Sequence, residues 1–465
     1  MKSYDFIIIG TGQATGTILS KLLALKRSVA VIEVDRTGGS CVNWGCTPTK
    51  TLIASARVAQ RVRRAESYGI QVPSQTTNFA RVMERVNIIR NNASEGFTAW
   101  LEETVDFYRG FGSFVDSHTV EVNGEKIRGE QIIIHTGTRA RSLDIPGMDS
   151  VDWLDNKGIL DLSELPTHLI IIGGSYVGME FAQAFRRLGS EVSVLENSSL
   201  VISREDEEMS EVARKILEDE GVNIYTSVEV SSVSQKTKGT VSVAFNQHNT
   251  QKNLTGSHLL VAVGRLPNSD GLKLENAGVK KSEKGHIEVD DQCRTNIPHI
   301  YAVGDVNGKG AFTHTSVHDG QVFVSQLEGG TKKISDRNLI YSLYIDPPLA
   351  RVGMTEKQAI ESGIPYLVAR MNMSSISRAK EKDETQGLIK VLVDKRDDTI
   401  LGAAVFGVGG DEIIGLLALA MQAKLSYHHL QETVLPHPTV AELLPWIFDD
   451  LKEGKTKKSN VKKKQ

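Results

Sequence analysis

The stretch GTGQATG at residues 10–16 lies between an apolar strand predicted at residues 5–9 and a predicted helix. The next predicted strand, residues 28–32, is followed directly by the acidic Glu33. Strand, glycine turn, helix, strand and acid in this order form the dinucleotide-binding fingerprint. Its glycines let a pyrophosphate approach the backbone at the helix N-terminus, and its acid accepts hydrogen bonds from ribose hydroxyls. Thr15 occupies the third glycine position, and we expect it to loosen the packing of the helix on the strand.

The same unit recurs in the middle of the chain. An apolar strand predicted at His168–Ile172 precedes GGSYVG at residues 173–178, and the helix and strand that follow end on Glu196. The two units align at one constant offset, which favours a true repeat over a chance match. Ser175, the smallest available substitute, stands at the second glycine position. The repeat predicts two dinucleotides in one α/β protein; the alternative is one nucleotide-binding unit followed by an unrelated strand–helix–strand element.

A third stretch, GGSCVNWGCTPTK at residues 38–50, holds two of the three cysteines in the chain. In one regular helix a five-residue step advances roughly 7.5 Å, whereas a disulfide needs Cα atoms within about 4.4–6.8 Å. Cys41 and Cys46 can therefore be bridged only where the backbone tightens, which Gly45 permits. Because Pro48 suits a first helical turn, we predict a loop carrying Cys41 and a helix beginning near Cys46, whose N-terminus makes a thiol reactive. Two unpaired buried cysteines are the alternative.

Length and composition exclude several classes of function. The 465 residues suffice for several domains, and 40% hydrophobic with 24% charged residues is an ordinary globular composition. A net charge of −3 gives no field that favours nucleic acid or a membrane surface. Three cysteines do not make a structural disulfide framework, and no run of about 18 apolar residues predicts a membrane span. We therefore expect a soluble, cytoplasmic protein in which the cysteine pair serves catalysis.

The residues around the cysteines resemble the flavoprotein disulfide reductase pattern GG-[ST]-C-x-N-x-G-C-x-P-[ST]-K. Four further segments resemble later parts of the same family: IIIHTG at residues 132–137, where His135 replaces the usual alanine, LLVAVGRLPN at 259–268, TNIPHIYAVGDV at 295–306 and LPHPTVAE at 435–442. The resemblance thus covers nearly the whole chain. It identifies the protein as a member of the class I pyridine nucleotide-disulfide oxidoreductases, similar to mercuric reductase, lipoamide dehydrogenase and glutathione reductase.

The family resemblance implies an α/β fold with two Rossmann-like dinucleotide-binding domains, for FAD and NAD(P)H, and a C-terminal α+β dimerisation domain. It predicts an FAD-binding domain at residues 1–150 that continues at 267–336, an NAD(P)H-binding domain at 151–266 and a dimerisation domain at 337–451. Residues 452–465 carry seven lysines and one glutamate, and this composition predicts a disordered tail. The resemblance also implies a homodimer whose active sites are shared between the two chains.

The resemblance further implies which residues bind the two cofactors. For FAD they are Gly10, Gly12, Thr15, Glu33, Gly39, Ser40, Lys50, Thr136, Gly137, Asp305, Thr313 and His314. For NAD(P)H they are Gly173, Gly174, Ser175, Tyr176, Gly178, Glu180, Glu196 and Gly264. We expect NADH to be preferred over NADPH, because the Glu196 carboxylate would repel a 2′-phosphate and no arginine follows it before Arg204. No resident metal ion is predicted.

The implied reaction passes electrons from NAD(P)H through FAD to a redox-active disulfide formed by Cys41 and Cys46. By resemblance, Cys46 is the flavin-side thiolate and Cys41 the exchanging thiol. His437, in the family signature HP-[TS]-x-x-E, would act as the catalytic acid–base, and Glu442 would orient it. Lys50 resembles the lysine that lies near the flavin.

The sequence leaves the electron acceptor open. SRA at residues 377–379 and RVGMTEKQA at 351–359 resemble the mercuric-reductase-like branch, which includes a flavoprotein that reduces metal ions. The vicinal C-terminal cysteine pair of true mercuric reductases is absent from this sequence, so a small-molecule disulfide stands beside a metal ion as the predicted substrate. One alternative is dihydrolipoamide dehydrogenase, and another is a nucleotide-bound redox sensor without turnover.

Overall fold

The structure, a computed structural model, describes residues 1–237 and 239–455. Its strands, β1 to β23 in chain order, are Lys2–Ile9, Val29–Glu33, Asp106–Arg109, Gly112–Phe114, Thr119–Val122, Glu125–Ile134, Thr138–Ala140, Trp153–Leu154, His168–Ile172, Glu191–Leu195, Asn223–Tyr225, Val228–Thr237, Thr240–Gln247, Thr250–Gly256, His258–Val261, Arg265–Pro267, Ile300–Ala302, Ile340–Leu343, Leu349–Gly353, Tyr366–Asn372, Leu388–Asp394, Ile400–Phe406 and Lys452–Glu453. Its α-helices, α1 to α13, are Gln13–Ala24, Gly39–Trp44, Cys46–Arg63, Phe79–Thr104, Tyr176–Leu188, Glu207–Asp219, Leu274–Ala277, Thr313–Leu327, Glu356–Ser362, Ser377–Glu381, Gly410–Gln422, Tyr427–Gln431 and Leu444–Ile447. Short 3-10 helices lie at Ala65–Tyr68, Met148–Ser150, Gly158–Asp161, Gly304–Asn307, Ile334–Asp336, Met373–Ser375, Ala441–Leu443 and Phe448–Asp450.

The first nucleotide-binding unit forms a sheet of seven strands. Its order is β3-β2-β1-β6-β5-β4, and β17 pairs in parallel with residues 132–134 of β6, beyond the part of β6 that pairs with β5. Strand β1 pairs in parallel with β2 and β6, and helices cover the sheet, so both faces of β1 are buried. This burial explains the continuous apolar run at residues 6–9. Because β17 follows the second unit in the chain, the polypeptide returns to its first sheet.

The second unit forms a parallel sheet of five strands in the order β11-β10-β9-β15-β8. Both units make the same turn after their first strand: Gly10 has a φ of +103° and Gly173 a φ of +110°. A Cβ atom would lie 2.3 Å from the His135 carbonyl oxygen at Gly10, and 2.5 Å from the Ala262 carbonyl oxygen at Gly173. Only glycine fits either position. The predicted α/β class with Rossmann-type units is therefore confirmed.

The C-terminal part of the chain is an antiparallel sheet with helices packed against it. Its strand order is β18-β19-β22-β21-β20-β23. The structure corrects the predicted start of the tail, because Lys452–Glu453 pairs with β20 and the backbone N–H of Gly454 donates to the Tyr366 carbonyl at 2.9 Å. The edge strand of the sheet offers unpaired backbone groups, and hydrogen bonds to them order these residues despite their charge. The rest of the predicted tail, residues 456–465, lies outside the described residues.

One local expectation needs correction. Cys41 lies in a short helix, α2, rather than in a loop, whereas the helix predicted from Cys46 is confirmed as α3. At the third glycine position, the side chain of Thr15 is fully buried, and its hydroxyl donates to the Gly10 carbonyl at 3.2 Å. A hydrogen bond there replaces the close backbone contact that a glycine would allow.

Buried charges join the second nucleotide-binding unit to the C-terminal sheet. Arg351 on β19 is almost fully buried and lies 2.7 Å from Glu205 and 2.9 Å from Asp206. Lys390 on β21 is also buried and lies 3.3 Å from Asp206 and 2.6 Å from Glu356. Each charge has an opposite partner, which offsets the cost of removing it from water. These contacts fix how the two parts meet.

The helices in residues 1–237 and 239–455 include none that is both long and apolar enough to cross a membrane.

Arg351→Ala should destabilise the protein strongly, because Glu205 would stay buried without its charged partner and Asp206 would keep only Lys390. We expect a loss of about 3–5 kcal/mol, measured as a lower Tm by circular dichroism. Arg214→Ala is the matched control: Arg214 and Glu218 form an exposed pair 2.8 Å apart on one helix, worth about 0.3–0.5 kcal/mol. Equal Tm values for the two variants would contradict the structural role of Arg351.

Candidate active site

The two cysteines lie at the junction of α2 and α3. Gly45 makes the tight turn between these helices, and a Cβ atom there would lie 2.7 Å from the Ser40 carbonyl oxygen. Cys41 and Cys46 are free thiols in this structure. The Cys46 sulfur lies 3.5 Å from the hydroxyl of Thr313, the first residue of α8. The structure thus brings the cysteine pair to the N-terminus of a helix that is distant in sequence.

The two thiols differ in acidity. A hydrogen bond from Cys41 is the largest cause that lowers the pKa of Cys46, to about 5, and it outweighs burial. The Thr313 hydroxyl and the charge of Lys50 lower this pKa further. The same hydrogen bond, together with burial, raises the pKa of Cys41. Cys46 is therefore the thiolate and Cys41 its protonated neighbour near neutral pH.

Lys50 connects the first nucleotide-binding unit to the second. Its ammonium lies 2.8 Å from a carboxylate oxygen of Glu180 on α5 and 4.6 Å from the centre of the Tyr344 ring. The other Glu180 oxygen accepts a 2.8 Å hydrogen bond from the backbone N–H of Tyr344. Burial alone would lower the pKa of Lys50, but the Glu180 carboxylate outweighs burial and raises it. The lysine is therefore positively charged beside Cys46.

The glycine turn of the first unit fits a dinucleotide pyrophosphate. Gly12 precedes α1, and no side chain in the described part of the chain caps that helix, so its first N–H groups are available to an anion. Gly39 approaches this turn so closely that a Cβ atom would lie 3.0 Å from the Gly12 Cα. Glu33 ends β2, and its carboxylate accepts a 2.9 Å hydrogen bond from the Thr11 N–H. The uncapped first turn of α1 thus offers backbone donors to a phosphate group.

A chain of hydrogen-bonded polar groups lies where the predicted FAD site continues. The Thr138 hydroxyl donates to Asp305 at 3.1 Å and accepts from Arg265 Nε at 2.7 Å. Burial raises the pKa of Asp305, and the charge of Arg265 opposes that shift. Arg265 also lies 3.5 Å from the Ser40 hydroxyl on α2. We assigned no role to Arg265 from the sequence, although it lies within the quoted segment 259–268.

The second unit repeats the hydrogen bonds of the first. Glu196 directly follows β10, and its carboxylate accepts a hydrogen bond from the Gly174 N–H at 2.6 Å, as the Glu33 carboxylate accepts one from the Thr11 N–H. Ser175 precedes α5 as Gly12 precedes α1, and no described side chain caps that helix either. Both units therefore present an open helix N-terminus beside an acid, which fits two dinucleotides.

The other predicted cofactor-binding residues lie around these turns. They follow β6 (Thr136, Gly137), begin or lie on α5 (Tyr176, Gly178), precede β16 (Gly264) or begin α8 (Thr313, His314). The His314 imidazole bonds the Ile340 carbonyl at 2.6 Å, so this side chain is engaged with the C-terminal part of the chain. Burial lowers the pKa of His314. Tyr344 and Arg265 are site residues that sequence reasoning missed, because their partners come from other domains.

His437 and Glu442 lie in a separate part of the chain. The His437 Nδ1 atom is 2.9 Å from Glu442 Oε2, and 78% of the histidine side chain is exposed. A cavity of about 560 Å³ lies beside the histidine and is lined by residues between 431 and 449. Neither cysteine lines it, so a single chain does not assemble the predicted catalytic set. Val434 in the same segment is 95% exposed.

Two family models match almost all of the chain. Residues 4–320 match the pyridine nucleotide-disulphide oxidoreductase model, and residues 340–448 match the dimerisation domain of the same family. The chain belongs to the pyridine nucleotide-disulphide oxidoreductases. It is therefore a flavoprotein oxidoreductase of a homodimeric family that uses FAD and a pyridine nucleotide. FAD supplies two-electron chemistry between a pyridine nucleotide and a disulfide when it is bound.

Several named oxidoreductases of this family are similar over their whole length or most of it. The probable pyridine nucleotide-disulfide oxidoreductase RclA of Escherichia coli is 35% identical over 97% of this chain and 100% of its own. Dihydrolipoyl dehydrogenase of Geobacillus stearothermophilus is 31% identical over 94% of both chains. Mercuric reductase of Bacillus cereus is 31% identical over 94% of this chain and 70% of its own.

Solved structures agree with this membership. The HOCl-induced flavoprotein disulfide reductase RclA from Escherichia coli superposes with a TM-score of 0.87 at 35% identity, covering 97% of this chain and 100% of its own. Its Cu(II) complex superposes with a TM-score of 0.88 at 34% identity, covering 97% and 99%. Among the described residues of this oxidoreductase, no cluster of three or more histidine, cysteine, aspartate or glutamate side chains is placed to hold a metal ion.

The thiolate of Cys46 gives a pH-dependent prediction. Because the pKa of Cys46 is lowered to about 5, the long-wavelength absorbance of a thiolate beside oxidised flavin should appear in the two-electron-reduced protein as the pH rises through that value. Thr313→Val removes one hydrogen bond to the thiolate and should move the midpoint up by about one unit. Thr313→Ser keeps the hydroxyl and should restore the original midpoint. A midpoint unchanged in Thr313→Val would contradict the role of this hydroxyl.

Proposed function

We propose that the protein is an NADH-dependent, mercuric-reductase-like flavoenzyme that passes electrons through FAD and the Cys41–Cys46 pair to a metal ion or a small-molecule disulfide. The main support is the position of Cys46, whose sulfur lies 3.5 Å from the Thr313 hydroxyl at a helix N-terminus. This hydroxyl and the charge of Lys50 contribute to the lowered pKa of Cys46. A thiolate held in this way can attack or leave a disulfide and can bind a soft metal ion. Dihydrolipoamide dehydrogenase activity is the second candidate.

Each chain residue has a defined part in this proposal. Cys46 holds the negative charge, and Lys50 stabilises it while Glu180 keeps the lysine in place. Cys41 exchanges with the acceptor. With a disulfide, one NADH and one proton reduce one disulfide to two thiols; with Cu(II), one NADH reduces two ions to Cu(I) and releases a proton. Val434 and Trp446 near His437 are exposed apolar side chains, which supports packing of this region against a second chain. His437 would then serve the cysteines of that second chain.

The acceptor is open to a direct test. We expect steady-state NADH oxidation to be fastest with Cu(II) or Hg(II) among a panel that also contains lipoamide, glutathione disulfide and quinones. The Cu(II) complex of the Escherichia coli relative supports a metal ion, and the HP-T-x-x-E segment supports a disulfide. Fastest turnover with lipoamide would assign the protein to the second candidate. No turnover with any acceptor, with FAD bound, would favour a redox sensor.

His437→Ala should separate the two substrate classes. We expect it to slow disulfide turnover by roughly 10²–10⁴-fold, because dithiol–disulfide exchange needs proton transfer. Metal-ion reduction needs less proton transfer and should suffer less, while FAD binding and flavin reduction by NADH should stay nearly intact. His429→Ala, a nearby exposed histidine bonded to Ser426, is the control and should keep full activity. Equal losses for both substrate classes would contradict an acid–base role.

Subunit mixing tests whether the site is shared. Chains carrying Cys41→Ser and chains carrying His437→Ala should both be inactive toward a disulfide. Random exchange makes half of the dimers mixed, each with one intact composite site, so about a quarter of normal sites should return. Absence of recovery after proven exchange would place both residues of each site in one chain.

NADH should give a higher kcat/KM than NADPH. Glu196 ends the second unit, and its carboxylate is held by the N–H groups of Gly174 and Ser198 at 2.6 and 2.8 Å. A carboxylate fixed there repels a 2′-phosphate. Glu196→Ser should therefore raise kcat/KM for NADPH by about tenfold. Comparable kcat/KM values for both coenzymes in the unchanged protein would contradict this assignment.

A further inference from the structure

A buried histidine lies between the two helix N-termini that face the predicted FAD site. His135 follows β6 directly and is 5% exposed. Its Nδ1 atom lies 3.0 Å from the Thr15 hydroxyl on α1, and its Nε2 atom lies 3.0 Å from the Ser316 hydroxyl on α8. The ring also lies against the glycine turn, since a Cβ atom at Gly12 would be 2.7 Å from it. One imidazole therefore contacts α1, α8 and the turn.

A neutral imidazole can satisfy both hydroxyls, because it has one donor nitrogen and one acceptor nitrogen. With Nδ1 protonated, Nδ1–H donates to the Thr15 hydroxyl, which itself donates to the Gly10 carbonyl at 3.2 Å, and Nε2 accepts from the Ser316 hydroxyl. Burial lowers the pKa of His135 to about 4, partly opposed by Asp319, so the ring is neutral near pH 7. In the neutral ring, each nitrogen of His135 has one hydrogen-bond partner.

The second nucleotide-binding unit shows what this arrangement replaces. There the positions of Thr15 and His135 are taken by Gly178 and Ala262, and a Cβ atom at Gly178 would lie 1.9 Å from the Gly173 carbonyl oxygen. Ala262 donates its N–H to the preceding β9 strand at 2.8 Å, as His135 donates to β1 at 2.7 Å. The first unit thus carries two larger side chains where the second carries two small ones, and those two side chains are bonded to each other.

We propose that His135 is a positioning residue for FAD, which joins the first turns of α1 and α8 and so fixes the pyrophosphate-binding turn relative to the helix that faces the flavin. This inference rests on the FAD site of the proposed function. The first turn of α1 already touches α8 one turn beyond Ser316, where a Cβ atom at Gly320 would lie 3.2 Å from Ala14. The imidazole adds a link from the same turn of α1 to the N-terminal turn of α8, where the cofactor binds.

The test is a mutant cycle on FAD release from the purified holoenzyme, followed by flavin fluorescence. Thr15→Val and Ser316→Ala each remove one hydroxyl of the chain and should each weaken FAD binding by about 3- to 10-fold. The double variant should be little weaker than either single one, because breaking either end already uncouples the helices. In a His135→Ala background, both hydroxyl deletions should change FAD release by less than about twofold.

Controls separate positioning from simple stabilisation. Ser210→Ala removes an equally buried serine hydroxyl, bonded to the Val201 carbonyl on the second unit, and should leave FAD release unchanged. His135→Gln, which can keep one hydrogen bond, should recover part of the affinity. The proposal would be overturned if the fold-loss of FAD affinity in the Thr15→Val, Ser316→Ala double variant equalled the product of the two single losses. This comparison does not need His135→Ala and so holds even if that variant does not fold. So would a lower Tm with unchanged FAD release. A failed catalytic proposal gives a different result, in which FAD is held tightly but no acceptor is reduced.

Discussion

The arrangement of the site depends on the contacts of the Glu180 carboxylate with Lys50 and with the Tyr344 N–H. One of its oxygens lies 2.8 Å from Lys50 in the first nucleotide-binding unit, and the other accepts from the Tyr344 N–H in the C-terminal part at 2.8 Å. Glu180 itself belongs to the second unit and is buried. A buried carboxylate needs such partners, because leaving it unpaired is costly. One side chain thus ties three parts of the chain together beside the cysteines.

The acidity of Cys46 follows from that arrangement. Lys50 can stabilise the thiolate because Glu180 holds its ammonium at the site, while Cys41 and Thr313 supply hydrogen bonds. The thiolate therefore depends on residues from two helices of the first unit, on α8 and on the second unit. By contrast, His437 and Glu442 form an exposed pair that contacts none of these groups within one chain. The family has a dimerisation domain, and the shared site that we propose requires a second chain to bring the two sets together.

Residues that interrupt the family pattern have a physical explanation in the structure. Thr15 replaces a glycine, and its hydroxyl bonds the Gly10 carbonyl and His135. The sequence did not show this pairing, because His135 lies at the end of a different strand. Likewise, Cys41 lies in a helix because Gly45 allows a turn tight enough to separate two helices within two residues.

The two nucleotide-binding units, their glycine turns and terminal acids, the helix at Cys46 and the family could all be predicted from the amino-acid sequence. These features are local, since strand periodicity, a glycine with positive φ and a helix N-terminus are all set within about 30 residues. Which side chains share the site depends on the folded chain. Lys50 meets Glu180 across 130 residues, and His135 meets Ser316 across 181. Such contacts depend on how whole sheets and helices pack, which no local pattern records.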